Sequence, residues 1–379
     1  MTHSEIWWNW VAGPSRFIKD ISKEILNENS CIILIEDDFP WRNDMRNMVE
    51  REMHDYGKKV FYLDVEDSFK HESIGHFIID LIDPISLLDY KAFKQSIEQY
   101  IEEKGILDNA IVWVKGIPND QSTKWIQYIK NSKFVKSQII IEIADDNQIK
   151  KKHASSKRVK IINNIDYISL ADTMLFTQII ARQKNIDYNL ISYYSSVATN
   201  LCGKDAQVAS ELINDYDLLR YDAMDSLKDL LLRKYNNHPR GKDDDPIFPH
   251  PFYLIRNEDY ESLNQRLWKA QTEIIFPIIE EERITLIKKY KNELGEICPN
   301  TDIYGNVISS IFDIDIGHLV HLINTHSKNK PKIKVISTDL EFKRISQLRE
   351  VRNKIAHAKI LLPEECSFSL KNSIKSKKS

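Results

Sequence analysis

Between Cys31 and Ile162 the chain alternates short apolar runs with longer stretches whose apolar residues recur every three or four positions. The runs are Cys31-Ile32-Ile33-Leu34-Ile35, Val60-Phe61-Tyr62-Leu63-Asp64-Val65, Ala110-Ile111-Val112-Trp113-Val114 and Ile139-Ile140-Ile141-Glu142-Ile143, with a fifth candidate at Val159-Lys160-Ile161-Ile162. Nearly continuous apolar runs of this length mark strands covered on both faces. The helical stretches between them supply crossovers, which predicts a parallel sheet in a doubly wound α/β domain.

From Leu170 to Tyr235 the spacing is helical throughout, as in Leu175, Phe176, Ile179 and Ile180, then Leu190, Ile191, Tyr194, Val197, Ala198 and Leu201. Asn236 to Pro246 has turn formers and mixed charge but no apolar period, and reads as a linker. Beyond it, helices are expected over Tyr260 to Leu294, over Ile311 to Asn324 and around Leu348 to His357. Phe276-Pro277 predicts a kink or two abutting helices within the first of these. At the other end of the chain, Trp7-Trp8-Asn9-Trp10 precedes Gly13-Pro14 and a helix carrying Phe17, Ile18, Ile21 and Ile25. Such a cluster is expected as a core plug rather than a base-stacking platform.

With 379 residues, 42% of them hydrophobic, the chain has room for two or three domains. A net charge of -3 excludes a global basic field, so any RNA contact must be local. Cys31, Cys202, Cys298 and Cys366 lack metal-ligand spacing or close pairing, and no zinc site or disulfide framework is implied. No basic leader precedes an apolar run and no stretch reaches membrane length, so a cytoplasmic protein with no membrane partner is expected. His318 and His321, three apart on a helix, are expected as packing residues, and Glu36-Asp37-Asp38 as the cap of the following helix. No metal is expected.

One stretch carries candidate chemistry: Leu348-Arg349-Glu350-Val351-Arg352-Asn353-Lys354-Ile355-Ala356-His357. On a helix Asn353 and His357 lie one turn apart, beside a stripe of Leu348, Val351 and Ile355. A guanidinium next to an imidazole that titrates near neutrality suits moving a proton while stabilising charge on a phosphate. Within its helical surroundings the motif Arg352-Asn353-x-x-x-His357 resembles that of the HEPN superfamily. That resemblance implies a small all-α domain, a dimer and a metal-independent endoribonuclease. In it Arg352 would stabilise the phosphate, His357 would act as base or acid, and Asn353 would orient one of them.

The first 235 residues resemble a degenerate AAA+ or STAND NTPase in element order. The chain departs from the phosphate-binding motif, because Glu36-Asp37-Asp38-Phe39-Pro40-Trp41-Arg42-Asn43 has neither the glycines nor the Lys-Ser/Thr pair that phosphates and magnesium require. The third strand ends Val114-Lys115-Gly116-Ile117-Pro118 without an acidic pair, and Gly203-Lys204 follows no strand. No nucleotide site, cofactor or ATPase activity is expected.

The expected organisation is a degenerate NTPase-like α/β domain over 1–169, a helical lid-like segment over 170–235, a linker over 236–247, a HEPN-like helical domain over 248–370 and a basic disordered tail over 371–379. The expected function is an HEPN-type endoribonuclease regulated by the inactivated NTPase-like region in a bacterial conflict or anti-phage defence system. Its partners would be RNA, a second copy of the chain joined through the C-terminal domain, and a protein of a defence or toxin-antitoxin system. The alternative is a non-catalytic adaptor of a multi-protein defence complex, with the HEPN-like domain used for dimerisation.

Overall fold

All of the five apolar runs form strands. The computed structural model describes the chain except residues 37, 66–72, 133, 145–155, 237–239, 241–247, 297–299, 302–304, 306, 325–338 and 377–379. The 236–247 linker and the last three residues of the expected tail therefore lie largely outside the described residues. In order, the first elements are α1 (His3–Trp10), α2 (Ala12–Leu26), β1 (Ser30–Ile35), α3 (Arg42–Asp55), β2 (Lys59–Asp64), α4 (Ile74–Ile82), α5 (Pro84–Leu88), α6 (Ile97–Lys104), β3 (Ala110–Lys115), α7 (Ser122–Asn131), β4 (Gln138–Ala144) and β5 (Val159–Asn163). There follow α8 (Leu170–Gln183), α9 (Tyr188–Cys202), α10 (Ala206–Asp215), α11 (Ala223–Leu230), α12 (Pro251–Arg256), α13 (Tyr260–Lys289), α14 (Lys291–Gly295), β6 (Asn300–Thr301), β7 (Val307–Ile308), α15 (Ile316–Asn324), α16 (Asp339–Ala356) and α17 (Pro363–Ser376).

The chain divides into two compact units, one of Met1–Phe176 with Lys204–Gln207, the other of Thr177–Gly203 with Val208–Ser379. In the first, five strands form a parallel sheet in the order β2-β3-β4-β1-β5. Alternate residues point to opposite faces. Ile32, Leu34, Val112, Val114, Ile139, Ile141 and Ile143 pack with Phe77, Ile78, Trp125 and Ile126 on the side of α4, α6 and α7. On the opposite side, where α2 and α3 meet the sheet, the β4 register brings Glu142 into the interior at 4% exposure. There Arg46 of α3 grips it with two hydrogen bonds, from Nε to Oε1 at 2.6 Å and from Nη2 to Oε2 at 2.5 Å, and Trp113 Nε1 donates to Oε1 at 2.7 Å.

Among its described residues the second unit is helical apart from the two-stranded β6-β7 ribbon. α13 runs through Pro277 as one continuous element rather than as two abutting helices, and the apolar Ile275 and Ile279 on either side of the proline are fully buried. α9 and α17 pack against α13, so the helices after the sheet, which the sequence groups as a lid, include one that builds the core of this unit. α17 continues to Ser376, past the start of the expected tail.

Gly203 has a structural task. It ends α9 at φ 63° and ψ -127°, a conformation that side chains avoid, and a Cβ there would lie 2.4 Å from the Phe248 ring. The ring cannot retreat easily, because the Arg266 guanidinium stacks 3.6 Å from its centre and donates to the carbonyl of Pro249 at 2.8 Å. Gly203→Ala is expected to destabilise the second unit by about 2–5 kcal/mol, from backbone strain and overpacking together. A shift of the chemical-denaturation midpoint measures it.

Candidate functional site

Arg352, Asn353 and His357 stand on the last turn of α16 and just beyond it. The helix forms because Ile345, Leu348, Val351 and Ile355 bury one stripe, all at most 3% exposed, which turns the three polar residues outward. Asn353 and His357 are exposed and Arg352 is half-buried. Arg352 Nη1 donates to Asn353 Oδ1 at 3.2 Å, so the two adjacent residues are held as a pair.

The end of the helix is fixed from both sides. Lys359 N donates to the Lys354 carbonyl at 2.9 Å and Ala358 N to the Ile355 carbonyl at 3.0 Å, the paired bonds that stop a helix, with Ala358 in the left-handed region at φ 53°. Across the unit, Trp268 Nε1 of α13 donates to the Ile355 carbonyl at 2.8 Å. One turn on, the buried Gln271 side chain bridges both backbone groups of Leu361, donating to its carbonyl at 3.0 Å and accepting from its N–H at 2.7 Å. His357 thus leaves a helix end whose position is set by two side chains of another helix. Nothing in the local pattern assigns Trp268 or Gln271 a role. A polar Gln271 on an apolar helix face is the one trace they leave in it.

Because the left-handed position after His357 holds alanine where glycine is favoured, Ala358→Gly is expected to stabilise the chain by about 0.5–1 kcal/mol. Thermal unfolding checks this, and the exposed groups of the motif are untouched.

The nearby acidic residues are engaged elsewhere. Glu282 holds Arg344 through a two-point ion pair, and Glu280 pairs with Arg283 at 2.8 Å, so neither is spent on His357 or Arg352. Lys354 takes Glu365 at 2.5 Å. Among the described residues no carboxylate pairs with Arg349, Arg352 or His357, and the buried Nε of Arg349 has no hydrogen-bond partner. Arg352 is thus left without an ion-pair partner among the described residues, as a group that receives an anion would be. Burial pushes the Cys366 thiol behind this surface up to about 12, leaving it protonated and inert. Among the described residues no group of three His, Cys, Asp or Glu side chains could hold a metal, and His318 and His321 pack edge-on with ring centres 6.2 Å apart.

A second place where ligands bind in such folds is the turn that leaves β1. β1 lies between β4 and β5, while the chain from it crosses to the far edge at β2, so the strand order reverses beside its carboxyl end. Here aromatic rings fill the turn. Phe39 packs on Trp8 and Phe17 with ring centres 5.3 and 5.7 Å apart, and Trp41 packs on Phe176 at 5.6 Å. Trp41 sits in the left-handed region at φ 44°, held by Trp8 Nε1 donating to its carbonyl at 3.3 Å and by its N–H donating to Gln207 Oε1 at 3.3 Å. Trp7 and Trp8 are fully buried and Trp10 is exposed, so two of the three tryptophans act as the plug.

Among the described residues no helix is long and apolar enough to cross a membrane. No protein-family model matches the chain, and no curated protein matches it. Among solved structures the chain is similar to a chain of Drosophila ORC bound to DNA, at 9% identity and a TM-score of 0.31 over 99% of this chain and 73% of that one. It is likewise similar to a chain of Drosophila ORC bound to poly(dA/dT) DNA and Cdc6, at 10% identity and a TM-score of 0.29 over 95% and 68% of the two. At such TM-scores neither likeness bears on fold or function.

Proposed function

We propose that this chain is a metal-independent endoribonuclease of the HEPN type, cutting RNA as a dimer joined through its C-terminal helices and controlled by an inactivated NTPase-like unit. One observation carries it: Arg352, Asn353 and His357 share the exposed end of a helix locked in place by Trp268 and Gln271, and the two basic groups have no carboxylate partner among the described residues. In the reaction His357 would take the proton of a ribose 2'-hydroxyl as its oxygen attacks phosphorus. Arg352 would stabilise the charge that grows on the phosphate, and the bond to the 5'-oxygen would break. The leaving oxygen needs a proton, which the imidazole of a second copy would supply.

For the sheet unit, the proposal is an NTPase-like fold that no longer takes a nucleotide. Its support is the aromatic filling of the turn after β1, with a strained Trp41 where backbone amides would otherwise have to approach phosphates. We propose for this unit a docking role in a bacterial defence assembly. A non-catalytic scaffold has one observation in its favour: among the described residues no hydrogen bond orients the His357 ring. Expression in bacteria separates the two. Growth arrest by the wild-type chain, relieved by His357→Ala, supports the nuclease, whereas a folded dimer that neither arrests growth nor cuts RNA in EDTA supports the scaffold.

A further inference from the structure

We infer that the α4–α6 side of the first unit is a docking surface for a basic amphipathic helix of a partner protein. Four large apolar side chains stand in solvent within thirteen residues of sequence, Leu81, Ile85, Leu88 and Phe93, the last two each 84% exposed. They are not on a loose loop. Asp83 caps α5 through Ser86, the Tyr100 hydroxyl of α6 donates to the Ser86 carbonyl at 2.8 Å, and the Tyr90 hydroxyl donates to the Gln95 carbonyl at 3.0 Å. Apolar side chains held out into water by a fixed scaffold mark an interaction surface.

Charge identifies the occupant. Three residues after Phe93, Ser96 caps α6 and opens a groove of about 460 Å³ between α6 and α7, lined by Glu98, Glu102, Glu103 and the Tyr128 ring. From Asp80 to Lys104 the chain carries six carboxylates against three lysines. A helix with one apolar face would lie on Leu81, Ile85, Leu88 and Phe93, and its flanking lysines or arginines would reach the carboxylates and the Tyr128 ring. A second copy of this chain packed symmetrically would set the acidic groove against itself, and an anionic lipid surface would be repelled by the same charge.

The inference concerns a surface outside the nuclease motif and stands whether or not RNA is cut. Its test is fluorescence anisotropy of the full chain with a synthetic Leu/Lys amphipathic helix of about 18 residues and a Leu/Glu counterpart of the same pattern. The Leu/Lys probe is expected to bind saturably, at least about tenfold more weakly to Leu88→Ser/Phe93→Ser and several-fold more weakly to Glu103→Lys. The Leu/Glu probe is expected not to bind, and His357→Ala to change nothing. Equal binding of the two probes, or unchanged binding to the double variant, would overturn it. So would sedimentation showing a wild-type oligomer that Phe93→Ser dissolves, or wild-type binding to neutral phosphatidylcholine vesicles that the double variant loses.

Discussion

Arg46→Ala is expected to destabilise the first unit by about 3–5 kcal/mol, the usual cost of stranding one charge of a buried pair. The Arg46 and Glu142 side chains are 10% and 3% exposed, and four hydrogen bonds tie the group together, the fourth from Arg46 Nη1 to Asn43 Oδ1 at 2.7 Å. Without the guanidinium, the buried Glu142 carboxyl would be left with the Trp113 N–H alone among its present partners. A double replacement, Arg46→Met with Glu142→Leu, removes both charges and is expected to regain most of the loss, since apolar substitutes of similar volume serve as well as a buried pair. Chemical denaturation of the three proteins measures this. A single-variant cost below about 1 kcal/mol would mean that water screens the pair.

Much of the sheet was legible because its strands are buried on both sides and so read as apolar runs with little polar interruption. Glu142 is the exception that proves uninformative on its own: its partner lies 96 residues earlier, on a helix that the local pattern gives no reason to pair with it. The aromatic plug was half legible. The turn after β1 lacks the glycines of a phosphate loop, and the tryptophans were expected in a core, but the left-handed Trp41 and the meeting of Phe39 with Trp8 and Phe17 depend on distant contacts. At the motif the spacing showed which residues share a helix face. It did not show that α13 pins the helix end through Trp268 and Gln271, nor that Glu280 and Glu282 are taken by Arg283 and Arg344.

His357→Ala is expected to lower RNA cleavage by roughly 100- to 10,000-fold, the contribution of a positioned acid or base. Its side chain is exposed and buries no contact of the helix, so stability should stay within about 0.5 kcal/mol of wild type. Arg352→Lys keeps the charge but loses the flat fork that a phosphate accepts, and is expected to be impaired as well, more in turnover than in RNA affinity. Gln271→Ala separates positioning from chemistry. It would leave the buried N–H and carbonyl of Leu361 unpaired and loosen the segment after His357, at about 2–4 kcal/mol of stability and with a smaller loss of cleavage. A variant series in which His357→Ala and Gln271→Ala lose activity only in proportion to stability would assign the motif to packing.

The most direct measurement is the chemistry of the cut ends. Purified wild-type chain is incubated with RNA in excess EDTA, and the fragment termini are identified by mass spectrometry. Attack by the ribose hydroxyl predicts 2',3'-cyclic phosphates and 5'-hydroxyls, absent from the His357→Ala reaction. Fragments ending in 5'-phosphates, equal cutting by His357→Ala, or intact RNA after incubation with the folded dimer would contradict it.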